Sequence, residues 1–314
     1  LLTGLVIGLG GCGIDWNSVR LDTTPTPTPP TLSPDDVARF AAVATIGALH
    51  HQAATVTDPA DHGPLLGELT AAHAAHLQQL GPLPGPVPSP SATPTGWPPA
   101  TTSPPPPLDV AGLAGAEASA AGSLLTGLDK LTPALAQLLC SIACCCLSAA
   151  QALAEVSDAP LPPSPAPTPP TDLQGRATPQ VADALNALID ADLQAGFGYA
   201  GVAAKLTGDQ RTLALTRMSA HTSRAQRLQA MASDAGATPT PAPPAYAGAL
   251  PGDEGAAREL AVRFENACAA AASALVGVAD GPARIVGVAA VLDTGMAGWQ
   301  WSSALSAFPG MPDL

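Results

Sequence analysis

The chain has 314 residues, enough for about two domains, and 46% of them are hydrophobic but only 3% aromatic. Its net charge of −13 repels phosphate and excludes nucleic acid as a partner class. The apolar content is mostly Ala, Leu and Val, which suits closely packed helices better than a sheet core. The 36 prolines cluster into breaks, so they mark linkers between structured segments.

Leu1 to Gly11 is apolar and uncharged, too short for a membrane span of about 20 residues. Its length fits the h-region of a signal peptide. No basic n-region or initiator Met precedes it, so the sequence is read as starting inside the signal. The following Leu9-Gly10-Gly11-Cys12 resembles a lipobox, the processing site of bacterial lipoproteins. The resemblance implies cleavage before Cys12, a lipid on its thiol, and a chain held on the extracytoplasmic face of the membrane. Residues 12–33, rich in Thr-Pro and without periodicity, read as an extended tether.

Helical segments are expected near 34–56, 62–80, 109–130 and 133–155, then near 179–206, 209–234, 253–278 and 282–306. Ser33-Pro34 and Thr178-Pro179 each offer a hydroxyl N-cap followed by Pro at the first helical position. Thr132-Pro133 and Gly281-Pro282 punctuate the last helix of each half. His73 and His221 lie 148 residues apart, as do Glu117 and Glu265, and Leu80 and Leu228. With Pro-rich breaks near 81–108, 157–173 and 236–252, the pattern reads as a tandem repeat. Each half then has two helix hairpins joined by one long crossover, which is ferritin-like bundle topology. The expected organisation is a degenerate bundle at 34–156, a Pro-rich linker at 157–177 and a second bundle at 178–308. The fold class is all-α: two tandem ferritin-like four-helix bundles.

Four pieces of the second half carry a family resemblance. They are Ala191-Asp192 leading to Gly198-Tyr199-Ala200-Gly201; Ser219-Ala220-His221 with Arg224; Phe264-Glu265-Asn266-Ala267-Cys268; and Leu292-Asp293 ahead of Trp299. Residues 178–306 resemble the ferritin-like domain of unknown function found in bacterial lipoproteins. The resemblance implies a fold but no activity, and Asp192 stands where that family usually has Glu.

Helical phase orients the polar residues. Leu185, Ile189, Asp192, Gly196 and Tyr199 follow one alternating spacing. Ala214, Met218, His221, Ala225 and Leu228 follow another, as do Ala261, Glu265, Cys268, Ala272 and Leu275. Val286, Ala289, Asp293, Met296 and Gln300 complete the set. Asp192, His221, Glu265 and Asp293 are therefore expected to meet inside the bundle, with Tyr199 capping them and His221 as the sole cation. A di-iron site needs a Glu-x-x-His on two helices. Met218 stands three before His221 and Met296 three after Asp293, so four ligands of six remain. Two readings stay open: a structural hydrogen-bond network, or a site for a single metal.

In the first half, the same offset sets Ala44 opposite Asp192 and Cys145 opposite Asp293. His73, His76 and Glu117, with Cys140, Cys144 and Cys145, form a second candidate metal set, since thiol and imidazole suit zinc or copper. The competing reading is Cys as a small hydrophobe. With Cys12 lipidated, five thiols are left, an odd number. No phosphate-binding glycine loop, nucleophile elbow or dinucleotide fingerprint occurs. The sequence therefore reads as a non-enzymatic envelope scaffold, bound to the membrane by lipid and offering its surface to an envelope protein partner. The alternative is a metal-binding or redox protein, with iron, zinc or copper as candidate cofactors and none required.

Overall fold

A computed structural model of the chain describes residues 32–56, 62–81, 107–173, 175–246 and 250–314. Leu1 to Gly11, Cys12, most of the tether, and Trp97 lie outside the described residues. Those residues form eight α-helices: α1 Pro34–Ala54, α2 Gly63–Leu80, α3 Val110–Leu125, α4 Pro133–Val156, α5 Pro179–Lys205, α6 Gly208–Asp234, α7 Glu254–Val276 and α8 Gly281–Ser302. They fall into two clusters of four, resembling tandem four-helix-bundle units. In the first, α1 packs on α2, α3 on α4, and α1 on α3. In the second, α5 packs on α6, α7 on α8, and α5 on α7. The two units meet where α4 lies against α8 and α7.

Local chemistry sets the helix ends. Ser33 accepts from the Asp36 N–H at 3.1 Å while the Asp36 carboxylate accepts from the Ser33 N–H, a reciprocal cap ahead of Pro34. Thr178 accepts from Val181 N–H at 3.3 Å, and Asp109 and Asp253 cap α3 and α7 in the same way. Thr132 precedes α4 as expected, but its side chain is used elsewhere. Its hydroxyl and N–H both donate to the Asp35 carboxylate at the start of α1, so it ties two helices together and does not cap α4.

Two helices are shorter than expected. Thr126 is extended and Gly127 takes a φ of 74°, so α3 stops at Leu125 and a 3-10 turn, Leu128–Lys130, follows. The last helix ends at Ser302 because Ser303 turns left-handed at φ 56°. Residues 303–314 then fold back as a tail over the first unit. There the Ala307 carbonyl accepts from His76 Nε2–H at 2.7 Å, and the Pro309 carbonyl from the Ser141 hydroxyl at 2.9 Å.

The core explains the Ala-rich composition. α4 is 24 residues long and apolar enough to cross a membrane, yet 78% of its most apolar stretch is buried. Its own unit covers one side and α7, α8 and the tail the other, so it is apolar all round. Backbones come close where side chains are small. A Cβ on Gly295 would lie 2.3 Å from the Cys144 sulfur across the junction between units. The buried Arg284 crosses the same junction and donates to the carbonyls of Leu128 and Leu131 at 2.6 and 2.9 Å. One apolar cluster runs through both units, from Ile46, Leu69 and Leu113 through Ile142 and Leu153 to Leu185, Ile189 and Val291. A second, smaller one holds Tyr199, Val202, Leu206, Ala261 and Trp301.

The 148-residue offset reappears as burial on two helix pairs, α2 with α6 and α3 with α7. Leu66, Leu69, His73, His76 and Leu80 are buried, and so are Ala214, Arg217, His221, Arg224 and Leu228. Leu113, Glu117, Ala120, Ala121 and Leu124 match Ala261, Glu265, Cys268, Ala269 and Ala272. The offset fails on α1. Ala44 is exposed while Ile46 is fully buried, so Ala44 does not occupy the place of Asp192.

Candidate metal centre and ionic network

Between the two apolar clusters of the second unit lies a layer of charge. Asp192 from α5, His221 from α6 and Glu265 from α7 are each fully buried. His221 donates from Nδ1 to Asp192 Oδ1 at 2.8 Å and from Nε2 to Glu265 Oε1 at 3.1 Å. Tyr199 donates its hydroxyl to the same Glu265 oxygen at 2.6 Å and stacks on the His221 ring.

Two arginines, which the helical phase had left outside, complete the layer. Arg217 donates to both oxygens of Glu265, at 2.9 and 3.0 Å, and to both oxygens of Asp293, at 2.8 and 2.9 Å. Arg224 donates to both oxygens of Asp192, at 2.8 and 2.6 Å, and to Asp293 at 2.5 Å. The expectation of His221 as sole cation is therefore wrong. Arg217, His221, Arg224 and Leu228 follow the spacing 4, 3, 4, so the sequence held the signal. Met218, given the inward place, is only half-buried. Arginine reads as a solvated residue until its carboxylate partners on other helices are known.

Asp293 also departs from the expectation of a buried group: its side chain is 42% exposed. The inward face of α8 is instead set by Ala283, Val286, Gly287, Ala290, Val291 and Leu292. That helix has to cover α7 and α4 together, which rotates the stripe through Ala289, Asp293, Met296 and Gln300 toward solvent. α6 and α8 share little backbone contact, and the long guanidinium side chains span the distance to Asp293.

The protonation states follow from these partners. Burial pushes the Asp192 and Glu265 carboxyls up, but hydrogen bonds from His221 and the charges of Arg224 and Arg217 outweigh it and hold both below the usual range. Asp293 is held far below that range by Arg217 and Arg224 against the same burial. Burial alone would lower His221, yet its bonds to Asp192 and Glu265 raise it, as fits an imidazolium with an acceptor on each nitrogen. Three carboxylates thus face two guanidiniums and His221, and with His221 protonated the layer is neutral.

One further group sits at its edge. The Cys268 sulfur lies 3.7 Å from His221 Nδ1. Among the described residues, Asp192, His221 and Cys268 form a group whose ligand atoms all lie within 4.8 Å of one another, and it could hold a metal ion. Cys268 lay on the expected inward face of α7 but was not chosen as a site residue. Its neutral thiol, raised well above its ordinary value by burial and by Asp192, is the group whose deprotonation metal would require.

The first unit has a smaller centre. His73 Nε2 contacts Glu117 Oε1 at 2.8 Å, and both side chains are fully buried. His76 Nδ1 lies 3.5 Å from His73 Nδ1, with Phe308 edge-on to the His76 ring. Burial lowers His76 to about 4, so it is neutral, and its Nε2–H is spent on Ala307. The four cysteines of α4 are free, buried thiols, as is Cys268. Burial pushes Cys140 up to about 12. Cys144 points to the Val291 carbonyl of α8, away from the histidines. Cys145 and Cys146 are raised by burial and by the nearby Glu117 charge. His73, His76, Glu117, Cys140, Cys144 and Cys145 thus surround the junction with α8 and the tail, and they do not converge as the second unit's trio does.

Residues 184–313 match the family model described as Domain of unknown function (DUF4439). The second unit is thus similar to a ferritin-like domain to which no activity is assigned. The match begins inside α5 and runs through the tail to 313, past the expected end at 308. No curated protein and no solved structure matches the chain.

Proposed function

We propose that this chain is a non-enzymatic, membrane-tethered bundle protein whose second unit takes up one metal ion at Asp192, His221 and Cys268. The observation that carries the reading is the approach of one oxygen, one nitrogen and one sulfur donor to within 4.8 Å of one another. That donor set suits zinc or copper. Uptake requires Cys268 to lose its S–H and His221 to free Nδ1, so a divalent ion would replace two protons and leave the charge of the layer unchanged. Arg224 has to withdraw from Asp192 Oδ1, while its bond to Asp293 offers it a second anchor at the protein's edge. A bound ion would supply a structural or Lewis-acid positive charge. A di-iron centre does not fit these residues, because Met218 and Met296 replace two ligands and guanidiniums already hold Glu265 and Asp293.

The full chain, stripped with chelator and titrated with zinc in weakly buffered solution, tests this. The expected result is one ion per chain with release of protons, a melting temperature that rises on loading, and loss of all three in Cys268→Ser. Equal zinc binding by Cys268→Ser, or no saturable binding, overturns it.

A second reading rests on the neutrality of the layer. With Arg217 and Arg224 in place, the centre is complete without an ion and serves to fix four helices in one register. It predicts a melting temperature indifferent to chelator. In either reading we place the chain on the extracytoplasmic face of the membrane, supported by the apolar Leu1–Gly11, the Gly10-Gly11-Cys12 sequence and the Pro/Thr tether. Cys12→Ser in the full precursor should shift it from the detergent to the aqueous phase, and an unchanged partition would overturn the anchor. The matching buried faces of the two units support our further proposal that they arose by duplication.

A further inference from the structure

The ionic layer reaches solvent at Asp293, and there it meets a cavity of about 380 Å³. One wall is the Pro-rich segment joining the two units, through Pro167, Pro169 and Pro170. The others are α6 and α8, with Leu228, Val286 and Ala290 supplying apolar surface. The segment thus roofs the gap between two helices that share little backbone contact.

The polar groups lining this cavity are unequal. Asp293 is the one carboxylate among them, and both its oxygens are engaged by Arg217 and Arg224. The donors are in surplus. Arg227 is exposed and makes no ion pair among the described residues, and the Ser223 hydroxyl has no partner among them. Arg224 has five N–H donors; three go to Asp192 and Asp293, and its Nη2 also lies 3.0 Å from His221 Nδ1, so the donor left over is on Nη1.

We propose that this cavity is a binding site for a small organic carboxylate with an apolar body. Its head group takes the free donors of Arg227, Arg224 and Ser223, and its body lies between the proline wall and the α6 and α8 side chains. The volume is in the range of small-molecule sites, and apolar walls with a few convergent polar groups are their usual construction. An organic cation meets no free carboxylate in this lining, and a neutral alkyl compound leaves the guanidinium donors unpaired. The site shares Arg224 with the surroundings of the proposed metal ligands, so it is tested with metal removed.

The test uses the full chain in excess chelator, titrated calorimetrically with decanoate, decanol and decyltrimethylammonium as probes. Decanoate should saturate at one per chain. Decanol should bind at least tenfold more weakly, the worth of one charge-assisted hydrogen bond, and decyltrimethylammonium should not bind. Arg227→Gln, an exposed change that leaves the fold intact, should weaken decanoate by roughly tenfold. Ala289→Phe should fill the cavity and abolish binding, with circular dichroism reporting that it folds. Non-saturable decanoate, decanol binding as tightly as decanoate, or an unchanged affinity in Arg227→Gln each overturns the proposal.

Discussion

The two units keep the same His–Glu contact and surround it differently. His73–Glu117 and His221–Glu265 both bridge the second and third helices of their unit. Around His221 stand Arg217, Arg224, Asp192 and Asp293. At the same offset the first unit has Leu69 for Arg217, His76 for Arg224 and Cys145 for Asp293, and α1 buries Ile46 but no charged residue. Two cations and two anions are missing together. An unpaired charge in low dielectric is expensive, whereas a balanced set can be exchanged for well-packed apolar groups with little change. The comparison teaches that the charges by which the two units differ form a neutral set. It also shows a second way to satisfy the same face: His76 bonds a backbone carbonyl of the tail in place of a carboxylate.

The sharpest break in this comparison comes from disturbing neutrality. Arg217→Leu leaves Glu265 and Asp293 short of a cation and should destabilise the protein by about 3–5 kcal/mol. The fourfold change Arg217→Leu, Arg224→His, Asp192→Ile and Asp293→Cys imposes the pattern of the first unit. It should cost less than Arg217→Leu alone, as a strongly non-additive urea midpoint would record. A fourfold variant weaker than the single one would refute the neutral-set account.

Acid should separate the units next. His76 titrates at 6.5 when unfolded and about 4 when folded, so its protonation favours the unfolded chain in that window. Stability from this group is present above pH 6.5 and lost as pH falls toward 4, by up to about 3 kcal/mol. His221 has the opposite sign. Its raised value gives stability below pH 6.5 that fades as pH rises through the folded pKa. The lowered Asp192 and Glu265 give stability above their ordinary values of 3.8 and 4.5, lost on further acidification. Hydrogen exchange at pH 5 should therefore show α2 and the tail loosened while α5, α6 and α7 stay protected, and His76→Gln should flatten the difference.

Two smaller changes test the junction and the helix ends. Gly295→Ala puts a Cβ against the Cys144 sulfur and Pro309, and should cost about 1–3 kcal/mol as an overpacked contact. Ser33→Ala and Asp253→Ala each remove a cap, one per unit, and thermal melts should show losses of about 1 kcal/mol. Equal effects would show that both units share one unfolding transition.

Much of the architecture was legible because small apolar residues recur at helical spacing between Pro-rich breaks, and because Ser33 and Thr178 announce their helices. The contact of His221 with Asp192 and Glu265 followed from phase on three helices. Other features were harder to read. Arg217 and Arg224 share the helical spacing of His221 and Leu228, but as charged residues they look like surface groups until three helices supply their acceptors. Asp293 was misplaced because α8 must also cover α4, a demand that its own sequence does not show. The separation of Cys144 from His73 depends on how two units dock, which no periodicity within one helix encodes.

The bond from His76 to the Ala307 carbonyl joins residues 231 positions apart. A polypeptide is made from its N-terminus, so α1 to α4 emerge long before the residues that close their centre exist. Until then His76 has no carbonyl for its Nε2–H, and the flank of α4 later covered by α8 and the tail is bare. The first unit is thus first to be synthesised and last to be sealed, and such long-range closure is slow and leaves apolar surface open to wrong partners meanwhile. The seal on the first unit is therefore supplied by the last residues of the chain.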